Sequence, residues 1–210
     1  VAPIRAVIFD LDRVLLDARP AWRYTVEEAV VMATGRRIDA SPLVEEYGSR
    51  PWSHALAILV DSAEARARCE DLCAQITERS GMKRLLVHEG IGMGLDAVRA
   101  AQIETGAISR RPHAIALKQA QSTGLERFLN VLSATPTGEP WRPAERIAHC
   151  LRFLERKPEA CAFIGADEHD LRAAANAGLR PFAAGWCAHE PSVVTVDRPI
   201  EVVRALTRRP

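Results

Sequence analysis

IRAVIFDLDRVLLD, residues 4–17, decides how the rest of the chain is read. Ile4, Ala6, Val7, Ile8 and Phe9 form an apolar run rich in β-branched residues. It is too short for a helix and predicts a buried strand. A strand buried on both faces implies a parallel sheet covered by helices. The run stops at Asp10-Leu11-Asp12. Side chains two apart on a strand project to the same side, and open α/β sheets bind ligands beyond the carboxyl ends of their strands. Asp10 and Asp12 are therefore candidate site residues. Taken alone, their spacing is equally compatible with a strand followed by a solvated acidic turn.

Downstream of this stretch the periodicity is helical. Residues 21–34 carry apolar positions at 22, 26, 29, 30 and 33, one helix face, and Gly35 is a stop. Ser41-Pro42 predicts another helix start, and 52–60 a short apolar helix. Residues 62–79 open on Ser62 and read as a longer amphipathic helix. From about 83 the pattern alternates. Helices are expected at 95–101, 112–121, 143–154, 170–177 and 199–206. Strands are expected at 103–109, 128–132, 160–165 and 180–184, with a further short one at 193–196. Repeated βα units with short loops predict a doubly wound parallel sheet. The expected division is an α/β core of 1–16 plus 83–210, with an all-helical insert at 17–82.

The 210 residues suit one ordinary domain and a small insertion. A hydrophobic fraction of 48% and a charged fraction of 26% are those of a soluble globular protein. The formal net charge of +1 gives no footprint for nucleic acid or an anionic membrane. No apolar run approaches the length of a membrane span. No charged or long apolar leader precedes the first strand, so a cytoplasmic protein is expected. The five cysteines form no Cys-x-x-Cys pair. Cys69 and Cys73 lie four apart without nearby metal-ligating partners, which favours reduced, partly buried thiols.

Four segments together resemble the haloacid dehalogenase superfamily, in its phosphatase-like branch with a helical cap. Asp10-Leu11-Asp12 followed by Val14-Leu15-Leu16-Asp17 resembles its first motif, with Arg13 where the pattern has glycine. Ser109, ending a strand and followed by Arg110-Arg111-Pro112, matches the second, although a plain helix-capping serine has the same local signature. Gly138-Glu139-Pro140-Trp141-Arg142-Pro143 matches the third, with Arg142 at the usual lysine position. A surface arginine at a helix start would look the same. Gly165-Ala166-Asp167-Glu168-His169-Asp170 matches the fourth, with Ala166 at its first acidic position. Acidic residues in a helix's first turn are also favourable without any ligand.

The resemblance implies an enzyme that hydrolyses a small phosphorylated metabolite. Asp10 would attack phosphorus and Asp12 would act as general acid and base. Retention of Asp12 favours the phosphatase branch over the carbon-attacking dehalogenases. Ser109 and Arg142 would bind the phosphoryl group. Asp10, Asp12, Asp167 and Asp170 would hold Mg2+. The 17–82 insert would be the cap, with Arg50 and His54 facing substrate, although a helical segment packed on the core and a solvent-facing loop arginine fit equally well. Arg13 would bind substrate, replace part of the cation's charge, or pair with Asp10 or Asp167 and block the site. The changes at Arg13, Arg142 and Ala166 all touch the site. Weak Mg2+ binding follows, because Ala166 removes negative charge and Arg13 adds positive charge. The alternative is a weak or inactive relative that binds a phosphorylated ligand or a protein partner. No nucleic-acid or membrane partner is expected, and the chain would act as a monomer or homodimer.

Overall fold

Side-chain alternation in β1, Ala6–Asp10, separates two apolar layers. All five residues are buried. Val7 and Phe9 face one layer, and Ala6 and Ile8 face the other. The computed structural model describes residues 3–46, 52–187 and 192–207. After β1 come a π-type turn at Leu11–Leu15, β2 (Leu16–Asp17), α1 (Arg19–Thr34), α2 (Trp52–Leu59) and α3 (Ala63–Arg79). Then follow β3 (Leu86–Val87), α4 (Ile91–Ala100), β4 (Glu104–Pro112), α5 (His113–Ser122), β5 (Val131–Thr135) and α6 (Pro143–Leu154). The chain continues through β6 (Cys161–Gly165), α7 (Glu168–Asn176), β7 (Arg180–Ala184), β8 (Thr195–Val196) and α8 (Val202–Thr207). The chain divides into two compact units, Val1–Leu16 with Val87–Pro210, and Asp17–Leu86.

The first unit holds a six-stranded parallel sheet in the order β5-β4-β1-β6-β7-β8. Val7 and Phe9 meet Ile91, Leu95 and Val98 of α4, Ala116 and Ala120 of α5, and Val202 and Leu206 of α8. Ala6 and Ile8 meet Ile147, Cys150 and Leu154 of α6 and Leu171 and Ala174 of α7. Helices on both faces of a parallel sheet make the unit doubly wound α/β. From β1 the sheet grows through β4 to β5. The chain then returns to the opposite side of β1 to lay down β6, β7 and β8. That reversal opens a crevice at the carboxyl end of β1, where Asp10 stands.

The second unit is helical. Trp22, Val26, Ala29 and Val30 of α1 pack with Leu56 of α2 and with Cys69, Cys73 and Ile76 of α3. Gly35, at φ +71°, ends α1 in the left-handed conformation that glycine adopts without strain. The Ser62 hydroxyl accepts the Ala65 N–H and caps α3. Among the described residues, none of 18–82 joins the six-stranded sheet. All five cysteines are free. Among the described residues, no helix is long and apolar enough to cross a membrane.

Three elements differ from expectation. The helix expected at Ser41 is a 3₁₀ turn, Ser41–Glu46. Six residues add too few hydrogen bonds to offset the nucleation cost of an α-helix. The strand expected at 128–132 starts at Val131 instead. Asn130 exchanges two hydrogen bonds with the Thr105 backbone, through its own N–H (2.8 Å) and its side-chain oxygen (2.9 Å). The chain therefore enters the sheet there, and Phe128 is buried in the preceding turn. The helix expected from 95 begins at Ile91, because Gly92 and Gly94 mask its apolar pattern. Gly94 is needed for packing: a Cβ there would lie 2.4 Å from the Pro199 carbonyl oxygen.

Candidate active site

At the end of β1 the Asp10 Oδ1 accepts the Asp12 N–H at 2.9 Å. This contact turns the chain into the wide turn Leu11–Leu15, closed by the Leu16 N–H on the Leu11 carbonyl. Such π-type turns recur at functional sites. Leu11, Val14 and Leu15 anchor it in the core. Trp186 Nε1 donates to the Val14 carbonyl (2.9 Å). His88 Nε2 lies 2.9 Å from the Arg13 carbonyl, so that nitrogen carries the proton. The turn is thus fixed from both sides.

β4 supplies the next groups. Its pairing with β5 is regular through Ser109↔Ala134 and resumes at Pro112↔Thr135, leaving Arg110 and Arg111 in an irregular step. Bulges of this kind re-aim side chains beside active sites. The Ser109 hydroxyl sits 3.0 and 3.1 Å from the two Asp12 carboxylate oxygens. The Arg110 N–H donates to Asp12 Oδ2 at 2.7 Å. Ser109 Oγ in turn accepts the Arg111 N–H at 3.1 Å. Expected to meet a phosphoryl oxygen, the Ser109 hydroxyl here contacts Asp12.

The loop after β6 and the start of α7 bring two more carboxylates. Asp167 caps α7, its Oδ1 accepting the His169 N–H at 2.9 Å. Asp170 is fully buried and takes Trp141 Nε1 on one oxygen and Arg110 Nη2 on the other, both at 2.9 Å. The same Arg110 nitrogen is 3.3 Å from Asp167 Oδ2. Arg13 reaches Asp167 Oδ2 only at 3.5 Å. The ion pair weighed for Arg13 therefore forms, but Arg110 holds the acidic cluster more closely. Ala166, buried beside them, contributes no ligand.

Charge and burial set these carboxyls apart. Burial, then the nearby Asp12 and Asp170 charges, push Asp10 up to about 7, against the pull of Arg110 and Arg13. Burial also raises Asp12, opposed by Arg111, the Arg110 N–H and the Ser109 hydroxyl. For Asp167 burial is outweighed by the His169 N–H and the guanidiniums of Arg110 and Arg13, which hold it below the ordinary carboxylate range.

Asp10, Asp12, Arg13, Ser109, Asp167 and Asp170 are thus brought together. Arg142 is not: it is exposed at the start of α6 and pairs with Glu145 at 2.9 Å. His54 lies half-buried on α2 in the helical unit. Arg50 falls outside the described residues. Two site residues escaped the sequence reading, Arg110 and Trp141. Each is a direct neighbour of a residue singled out there, Ser109 and Arg142, and adjacency was the only signal.

Does a divalent cation suit these groups? Asp10 Oδ2 is buried and has no hydrogen-bond partner among the described residues, which marks the Asp10 carboxyl as a group placed for a ligand and not for solvent. Asp167, His169 and Asp170 offer ligand atoms within 4.8 Å of one another. Hard cations of the magnesium type take the carboxylate oxygens of this set and not the His169 nitrogen, so the carboxylates fit one. Elsewhere, an open groove of about 640 Å³ in the helical unit is lined by Asp17, Arg19, Arg23, Tyr24, Glu27 and Arg84, among others. Its charges are largely matched within it, Arg19 with Asp17 and Arg23 with Glu27, both at 2.8 Å.

The model of the haloacid dehalogenase-like hydrolase family matches residues 7–184. Phosphoglycolate phosphatase of Chromobacterium violaceum is 24% identical over 215 residues, covering 97% of this chain and 95% of that protein. Phosphoglycolate phosphatase of Xylella fastidiosa is 29% identical over 217 residues, covering 97% and 92%. Among solved structures, a HAD-superfamily hydrolase of Geobacter sulfurreducens superposes with a TM-score of 0.83 at 19% identity, covering 97% of this chain and 96% of that one. That likeness is one of fold.

Proposed function

This chain belongs to the haloacid dehalogenase-like hydrolases, and from that premise we propose that it hydrolyses a small phosphate monoester through Asp10 and Asp12. The observation that carries the reading is the asymmetry between these two carboxyls. Asp12 is held by the Ser109 hydroxyl and the Arg110 N–H, while Asp10 keeps one buried oxygen without a partner. The held group suits proton transfer and the unpartnered oxygen suits attack. Similarity to phosphoglycolate phosphatases supports a small phosphorylated metabolite as the substrate class.

In this reading Asp10 Oδ2 forms a bond to phosphorus as the ester P–O bond breaks, and Asp12 gives its proton to the leaving oxygen. Burial, which raises Asp12, favours the protonated form this step needs. Asp12 then takes a proton from water. The water oxygen bonds to phosphorus, the bond to Asp10 breaks, and inorganic phosphate leaves. Mg2+ would be held by Asp10, Asp12, Asp167 and Asp170 and, when bound, supplies positive charge against the phosphoryl oxygens and the ionised Asp10. Ser109 orients Asp12, and the guanidiniums of Arg110 and Arg13 favour ionisation of Asp10. The helical unit acts as a cap that selects the leaving group, with Arg50 and His54 the residues assigned to it. The role for Arg142 as a phosphate ligand requires it to leave Glu145.

A second reading is a weak or inactive relative that binds a phosphorylated ligand. It is favoured by Ala166 at an acidic position of the motif and by the grip of Arg110 on Asp170. A phosphate-release screen over small phosphorylated acids and sugars, with and without Mg2+, separates the two. Release that depends on Asp10 supports the enzyme.

A further inference from the structure

We propose that Arg110 is the resident counter-cation of this site, holding Asp167 and Asp170 where a divalent ion would take them, so that an entering ion must displace it. The inference deepens the phosphatase reading and rests on it only for the kind of ion involved. One guanidinium nitrogen bridges two carboxylates, 2.9 Å from Asp170 Oδ2 and 3.3 Å from Asp167 Oδ2. These two residues, with His169, form the cluster of metal-ligand size. Asp170 has no exposed side-chain surface and its other oxygen is taken by Trp141 Nε1. Its charge is therefore already matched by these two donors. A dication placed beside a guanidinium that stays put is repelled by it.

The backbone explains why this arginine is so placed. Arg110 stands in the irregular step of β4, so its N–H points to Asp12 while its side chain turns to Asp170. Its guanidinium also lies 5.4 Å from the centre of the Trp141 ring, on the attractive face for a cation. The side chain is 37% exposed, which leaves it room to swing toward solvent. Once displaced, it presents a planar fork suited to phosphoryl oxygens. Arg110 would then alternate between two anionic partners, the site's own carboxylates and the ligand.

The test is calorimetric titration of Mg2+ into the EDTA-stripped full chain and two variants, with no substrate present. Arg110→Gln removes the charge and is expected to tighten Mg2+ on the order of tenfold or more. Arg110→Lys keeps the charge and is expected to stay within about threefold of wild type. Equal affinity in wild type and Arg110→Gln, or no binding to either, would overturn the proposal. Should Arg110→Gln fail to fold, tryptophan emission of the wild type decides. Saturating Mg2+ must then change emission in the wild type and not in Trp141→Phe. Calorimetric binding without that change also overturns it. Because no turnover is read, an affinity shift in a protein that releases no phosphate would remove the phosphatase reading and leave this one standing.

Discussion

The Ser109 hydroxyl lies 3.0 Å from Asp12 Oδ1, although the two are 97 positions apart in the chain. Parallel pairing of β4 with β1 sets this meeting, with Asp10 opposite Ile108. The hydroxyl is one of the groups that oppose the effect of burial on Asp12. Ser109→Ala should raise the Asp12 pKa further and loosen its orientation. A fall in kcat of roughly ten- to a hundredfold is expected, with the basic limb of the pH–rate profile moved to higher pH. Steady-state kinetics across pH check this, and an unmoved limb would separate Ser109 from Asp12 function.

Stability should carry the mark of Asp10. Its folded pKa of about 7 lies above its unfolded value, so the folded state binds the proton more tightly. The resulting stability is fully present below the unfolded pKa and is lost as pH rises toward and through about 7. In EDTA, the stability of Asp10→Asn relative to wild type should rise between pH 5 and pH 8, by at most roughly 3 kcal/mol. Denaturant melts at the two pH values measure the change, and a difference between variant and wild type that stays the same at both would contradict the burial argument.

Trp141 holds a buried carboxylate by a single indole N–H at 2.9 Å. Trp141→Phe keeps an aromatic ring and removes the donor, leaving Asp170 Oδ1, among the described residues, with His169 Nδ1 at 3.4 Å. The expected loss is about 1–3 kcal/mol of stability, read by urea unfolding. A loss within about 0.5 kcal/mol would mean that Asp170 finds another donor.

Much of this architecture is legible in the residues. The apolar run before Asp10 marks the central strand, and the βα alternation marks the doubly wound sheet. The start of β5 is not legible, because Asn130 and Ser133 break the apolar pattern, although Asn130 opens the ladder by pairing with Thr105. Arg110 is hidden in the sequence for a different reason. Its place against Asp170, 60 residues away, depends on a bulge that leaves no periodic signature. Trp141 lies in the third motif segment beside Arg142, whose charge matches the motif but which points to Glu145 instead.

Ala166 offers a complementary test of the weak cation binding expected from the sequence. Ala166→Asp adds a carboxylate at a buried position next to Asp167. Without a cation this should cost stability, since it adds a further negative charge at a buried position beside Asp167. With Mg2+ the melting temperature should rise by more than it does in wild type, because an ion that binds only the folded state stabilises by mass action. Thermal melts with and without Mg2+ compare the two, and an equal rise in both proteins would mean that position 166 does not reach the ion.

The most direct measurement is phosphate release by wild type and Asp10→Asn on the same small phosphate monoester with Mg2+ present. An amide keeps the size of Asp10 and its acceptor for the Asp12 N–H but cannot attack phosphorus. The account predicts turnover by wild type and a loss on the order of a thousandfold or more in Asp10→Asn. Turnover that survives unchanged in Asp10→Asn would contradict it.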